Sequence, residues 1–337
     1  MKEKTIRSGC ALGSREILLA STSDDPRASG ADLTFVFRIK IDTSNSAQPE
    51  WVWTDYDWNV VSVCYDPLRD LRCILSREGD VNIYGPGGEP DETFHIREAG
   101  VFGNSARGLG YVNRIRAIGD HLYVCGQSRQ IWRFDIDGPH LKLSRWTDLA
   151  GSIRQFPAAE VPDDPDLLDH WLDAHDAVDL VDVDGSSDAD IYVVGDEVWH
   201  WAGRAWQQII LPYAEPVNAI KIVSPGFVFL AGRGGLLVGN ARDGFTLATS
   251  VATVENFTSI EWFEGKLYLA SSRGLHVYDP KTRTVIVHQT LLVPEVRDAH
   301  SLEARDGVLW SFGLKDVARF DGYAWVRVDH PDNSPIR

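Results

Sequence analysis

The stretch Asp190-Ile-Tyr-Val-Val-Gly-Asp-Glu-Val-Trp-His-Trp-Ala-Gly-Arg-Ala-Trp206 decides the fold. It reads as an apolar strand closing at Gly195, a second strand closing at Trp201, a tight turn at Gly203 and a third strand opening at Trp206. The first part recurs at Leu122-Tyr-Val-Cys-Gly126, Val228-Phe-Leu-Ala-Gly232, Leu267-Tyr-Leu-Ala-Ser271 and Leu309-Trp-Ser-Phe-Gly313. Looser copies stand at Ile17-Leu-Leu-Ala-Ser21 and Cys73-Ile-Leu-Ser76. The second part returns 119 residues later as Val317-Ala-Arg-Phe-Asp-Gly-Tyr-Ala-Trp325. A unit that repeats about every forty residues and cannot bury its own apolar face alone points to a propeller.

Each copy follows another alternating segment, as in Asn113-Arg-Ile-Arg-Ala-Ile118, Asn218-Ala-Ile-Lys-Ile-Val223, Thr258-Ser-Ile-Glu-Trp-Phe263 and Ala299-His-Ser-Leu-Glu-Ala304. Inner strand, motif strand, aromatic strand and outer strand make four antiparallel strands per unit. Seven units give an all-β, seven-bladed propeller occupying residues 1–337 as one domain. The phase runs from an inner strand near Thr5–Cys10 to an outer strand at Trp325–Asp329. On that phase every blade is continuous in sequence, so ring closure rests on packing of blade one against blade seven. Most of the 12 tryptophans then serve as packing surface between blades.

The pairing of Asp190-Ile-Tyr-Val-Val-Gly195 with Trp201-Ala-Gly-Arg-Ala-Trp206 resembles bacterial β-propellers built from DVWAVG and GxxW repeats, within the WD40/YVTN-like group. The resemblance implies fold only. A Trp-Asp dipeptide of the WD40 type, a regular kelch double glycine and an Asp-box are missing, so it brings no family function, cofactor or site residue with it.

The 33 basic and 49 acidic residues leave a formal charge of -16. No basic surplus exists to neutralise phosphates, which argues against nucleic acid and anionic membranes as partners. No apolar run reaches the roughly 18 residues of a membrane span, nor does the start read as a signal peptide, so a cytoplasmic location is expected. Of Cys10, Cys64, Cys73 and Cys125, the last three fall in apolar strand patterns and read as buried thiols.

Long connections gather on one face, at 21–33, 96–112, 148–176 and 291–298, and repeat proteins place function on such a face. The insertion 148–176, between blades three and four, stands out because Glu160 to Asp190 holds 12 carboxylates and no Lys or Arg. Asp164-Pro165 starts a short acidic helix there, with Asp at the cap and Pro at the first helical position. Leu167, Leu168, Trp171 and Leu172 fall on one side, while Asp166, Asp169 and Asp173 fall on the other. The expected partner surface comprises Asp163, Asp164, Asp166, Asp169, His170, Trp171, Asp173, His175 and Asp176. Asp55, Tyr56 and Asp57 join it, the tyrosine being of a type enriched in interface hot spots.

Catalytic chemistry finds weaker support. His170 and His175 lack the i, i+4 spacing of helical metal ligands. Asp182 to Asp190 superficially resembles a calcium loop but serves equally as a hairpin turn. Inner strands beginning at Asn59, Asn113, Asn218, Thr258 and His300 would ring the channel mouth, with Asp176 or Asp179 completing blade four. A lactonase-like, metal-dependent hydrolase would use Asn59, Asn113, Asn218 and His300. Against it, a ring rich in amides and poor in carboxylates balances a divalent ion badly. The expectation is therefore a non-catalytic module, without cofactor, that binds a basic protein. Its concrete form is an immunity protein inhibiting a bacterial toxin. Glycan binding by exposed aromatics is a further alternative.

Overall fold

The computed structural model describes residues 3–25, 33–41, 49–86, 90–136, 141, 144–154, 177–249 and 255–336. Blade one is β1 (Lys4–Ala11), β2 (Glu16–Ser23), β3 (Thr34–Lys40) and β4 (Glu50–Tyr56). Blade two is β5 (Val60–Asp66), β6 (Leu71–Ser76), β7 (Asp80–Tyr84) and β8 (Pro90–His95). Blade three is β9 (Val112–Ile118), β10 (His121–Gly126), β11 (Gln130–Asp135) and β12 (Arg145–Asp148). Blade four is β13 (Leu180–Ser187), β14 (Asp190–Gly195), β15 (Val198–Trp201) and β16 (Trp206–Gln208). Blade five is β17 (Val217–Ser224), β18 (Phe227–Gly232), β19 (Gly235–Asn240) and β20 (Gly244–Leu247). Blade six is β21 (Phe257–Phe263), β22 (Lys266–Ser271), β23 (Gly274–Asp279) and β24 (Thr284–Val287). Blade seven is β25 (Ala299–Arg305), β26 (Val308–Gly313), β27 (Val317–Phe320) and β28 (Trp325–Val328).

These strands form seven separate four-stranded antiparallel sheets, each in simple sequence order. The seven motif copies are the seven second strands. Their apolar residues fill the spaces between blades: Tyr192, Val194 and Val198 of blade four pack with Ile220, Leu230 and Leu237 of blade five. The same holds across the closing seam, where Trp310 and Phe312 of blade seven share a core with Ile6, Ile17 and Phe37 of blade one.

No strand crosses that seam. It is sewn instead by individual bonds: the Ile6 N–H donates to Leu314 O (2.8 Å), and the Trp310 indole donates to Gly13 O (3.2 Å). After β28 the chain turns onto blade one. The Asn333 side chain accepts the Lys4 N–H (2.6 Å) and donates back to Lys4 O (2.9 Å). His330, buried against Phe37, reaches Ser21 Oγ (3.2 Å).

Every inner strand carries a bulge, at its second residue in blades two to seven and at its fourth in blade one. The skipped residues are Arg7, Val61, Asn113, Val181, Asn218, Thr258 and His300. A bulge adds one residue and turns its side chain out of the ladder. The next residue then stitches blade to blade: Ser8, Ser62 and Ser259 accept the N–H groups of Val63, Ile115 and Leu302 (3.0–3.2 Å). The glycine ending the motif follows from the same geometry. A Cβ on Gly195 would lie 1.9 Å from Asp179 O, and one on Gly232 would lie 2.3 Å from Pro216 O. The entering inner strand passes too close for any side chain there.

Among the described residues there is no helix. The helix expected from Asp164 lies outside them.

Candidate functional site

Strand alternation assigns the connections between blades, and the turns between second and third strands, to one face. By strand order this face carries the connections 24–33, 96–111, 149–179, 209–216, 248–256 and 288–298; the sequence pattern marks four of these, at 21–33, 96–112, 148–176 and 291–298. The opposite face is less spare than expected, because third-to-fourth-strand connections 41–49 and 136–144 are also long.

On the first face a groove of about 420 Å³ runs between the Asp196–Glu197 turn of blade four and the connection to blade five. Its floor and walls combine Ile209, Ile210, Leu211 and Tyr213 with Asp196, Glu197 and Glu215. Ile210 is 80% exposed, and beside Leu211 and Tyr213 it gives the groove an apolar edge. Tyr213 stands with its hydroxyl buried and without a hydrogen-bond partner. Burial, with Glu215 nearby, pushes its pKa up to about 12, so the phenol stays neutral.

The acidic side of the groove is braced rather than loose. Asp196 accepts the Asp179 N–H (2.8 Å). Burial, with Asp196 adding repulsion, raises the Asp179 carboxyl above its usual range. Glu197 takes both prongs of Arg129 (2.6 and 2.7 Å) and the Trp199 indole (2.7 Å). Asp196 and Glu215 therefore supply the groove's uncommitted negative charge. The chain re-enters the described structure at 177 beside this corner.

Further apolar points lie around the rim. Phe102 projects from the connection into blade three, and Leu291 and Val293 from the connection into blade seven. The latter loop is fixed by Glu295, which accepts the Thr290 N–H (3.0 Å), and by Arg327, which donates to Pro294 O (2.8 Å).

The sequence-expected residues fare unevenly. Asp163, Asp164, Asp166, Asp169, His170, Trp171, Asp173, His175 and Asp176 lie outside the described residues. Asp55 and Asp57 are exposed on the first blade's outer edge. Tyr56 between them is not: it is 6% exposed, facing blade two with its hydroxyl on that of Tyr84. As the last residue of β4 it falls on the inward side of the pleat, which corrects its reading as a contact residue.

The channel mouth also differs from expectation. Asn59 precedes its strand, and the ring position belongs to Val61; in blade four it belongs to Val181, not Asp176 or Asp179. The bulges cause the shift. Asn113 spends its amide on Asp179 (2.5 Å) and Leu180 O (2.9 Å), and Asn218 spends its amide on Asn256 (2.6 Å) and Phe257 O (3.0 Å). Both are clamps between neighbouring blades. Burial, helped by Arg114 and Arg7, lowers the His300 pKa to about 4. Nearby cations make this ring unfavourable for a metal ion.

The acidic run is likewise divided. Asp182 accepts the Arg116 guanidinium (3.0 Å), Asp188 is hydrogen-bonded to His121 (2.9 Å) and accepts the Tyr123 hydroxyl (2.9 Å), and Asp190 is hydrogen-bonded to His200 (2.8 Å). These carboxylates point to separate partners, as a hairpin needs and a calcium loop does not. The groove itself escaped sequence reading. Its signal was the apolar run Ile209-Ile210-Leu211-Pro212-Tyr213 in a connection, where polar residues are the rule.

No protein-family model matches the chain. It is similar to the immune protein Tsi7 of Pseudomonas aeruginosa, with 26% identity over 282 residues, covering 81% of this chain and 80% of that protein. Among solved structures it is similar to the extracellular domain of a hybrid two-component system from B. thetaiotaomicron. That match has a TM-score of 0.58 at 13% identity and covers 93% of this chain. The chain spans only 39% of the larger structure, and the likeness is one of propeller fold.

Proposed function

We propose that this chain is an immunity protein: a non-catalytic propeller that binds a toxin protein through its insertion-bearing face and thereby neutralises it. The observation that carries the reading is the similarity to an immune protein across four-fifths of both chains. The groove between blades four and five supports it physically. Ile210 offers a desolvating anchor, and Asp196 and Glu215 offer charge for a basic side chain beside it. The acidic segment 160–176 extends this surface in the proposal, giving fast, salt-sensitive capture of a basic partner. Four free, buried cysteines, with Cys64 directly opposite Cys73 in the ladder, suit action in the reducing cytoplasm.

The test is capture with the tagged chain from the source cells, beside an Ile210→Glu/Glu215→Lys variant and an Asp166→Asn/Asp169→Asn/Asp173→Asn variant. One basic protein should be recovered near stoichiometry by wild type and lost with the groove variant. The triple variant should associate about tenfold more slowly at low salt. Expressing the captured protein alone should arrest growth, and co-expression of this chain should restore it. A captured partner that leaves growth untouched would end the immunity reading, whereas unchanged capture by the groove variant would remove the surface.

A further inference from the structure

The inner strands hold a feature that partner binding does not use. Three residues beyond each bulge, the channel layer reads Cys10, Cys64, Arg116, Asp184, Lys221, Glu261 and Glu303. Five blades place a charged chain at this level, while blades one and two place short neutral thiols. The difference in side-chain length leaves a cavity of about 90 Å³ beside blades one, two, three and seven.

Charge is distributed unevenly around that space. Its lining includes Arg114, Arg116 and Arg305 against a single carboxylate, Glu303. The counter-charges stand behind the arginines: Asp182 lies 3.4 Å from Arg114 and 3.0 Å from Arg116. Lys221 pairs with Glu261 (2.6 Å) on the far side of the channel. Glu303 is already engaged, accepting the Ala11 N–H (2.9 Å) and Arg305 Nη2 (3.0 Å). Yet Nε of Arg305 is buried without a hydrogen-bond partner, and Nε of Arg114 has only the 3.4 Å approach to Asp182. Buried donors of this kind call for an acceptor. The volume corresponds to a few water molecules at about 30 Å³ each, the scale of one tetrahedral oxyanion.

We propose that the central channel binds one small inorganic oxyanion, phosphate or sulfate, among Arg114, Arg116 and Arg305. Guanidinium forks suit such oxygens better than ammonium groups do. The ion ties blade three to blade seven across the channel and acts as a structural ligand. This assignment stands apart from toxin binding, and either can fail alone.

The experiment uses the full chain dialysed into chloride, with inorganic phosphate titrated by calorimetry and equilibrium dialysis at fixed ionic strength. One phosphate per chain should bind saturably, and thermal stability should rise with the logarithm of its concentration. Cys64→Leu fills the cavity and keeps every charge, so it should weaken binding at least tenfold. Arg114→Lys should weaken it about tenfold, which keeps the test open if the leucine variant does not fold. Phosphate and sulfate stabilise proteins generally by exclusion. Equal stabilisation of wild type and variants without stoichiometric binding would therefore overturn the site and leave the cavity to water. Competition by AMP would overturn it too, because the cavity admits no nucleoside.

Discussion

Asp182 is the node of the channel's ion network, and replacing it with asparagine should destabilise the propeller. The residue is 5% exposed. It accepts Nε and Nη2 of Arg116 at 3.2 and 3.0 Å, and the Ile220 N–H of the next blade at 3.3 Å. Arg114 stands at 3.4 Å. Asparagine keeps the shape but loses the charge, and one end of its amide becomes a donor facing donors. Breaking a buried pair by removing one partner costs about 3–5 kcal/mol. Asp184 and Glu261 lie close enough to act on Arg116, so the lower end, about 3 kcal/mol, is expected. In urea, with a slope of about 3 kcal/mol/M, the midpoint followed by tryptophan fluorescence should fall by about 1 M. The pair Asp182→Leu and Arg116→Met removes both charges together. It should cost at least about 2 kcal/mol less than the sum of the single changes. Strict additivity, or a shift below about 0.5 kcal/mol for Asp182→Asn, would refute the view that this network joins the blades.

Other outcomes follow from the same structure. Burial holds His300 and His330 at pKa values of about 4, below the ordinary 6.5. Both are neutral above 6.5 in either state, so their stability contribution is complete there and is lost as pH falls from 6.5 towards 4. Each loss reaches about 3 kcal/mol; urea midpoints at pH 7 and 4.5 should show it, and His330→Gln should flatten the slope. Gly195→Ala forces a methyl onto Asp179 O and should cost about 1–3 kcal/mol by overpacking, read as a lowered Tm. Tyr213→Phe removes a buried hydroxyl without a partner and should raise stability by up to about 1 kcal/mol.

Periodicity alone determined the number of blades, the identity of each second strand and the face that carries the connections. A strand that packs on both faces must be apolar throughout, and a turn at fixed spacing must carry glycine, so these constraints are printed residue by residue. The glycine's deeper reason, a neighbouring backbone within 2 Å of its missing Cβ at Gly195, required the tertiary arrangement. So did the channel ring. A bulge shifts register by one residue without a distinctive residue type, as Val61 and Val181 show beside Asn113 and Asn218. The fate of the carboxylates was equally hidden. Asp182 and Asp196 look alike in a run of acids, yet one neutralises arginines in the channel while the other faces solvent in a groove. Charge in a sequence has no direction; only the fold gives each carboxylate its neighbour.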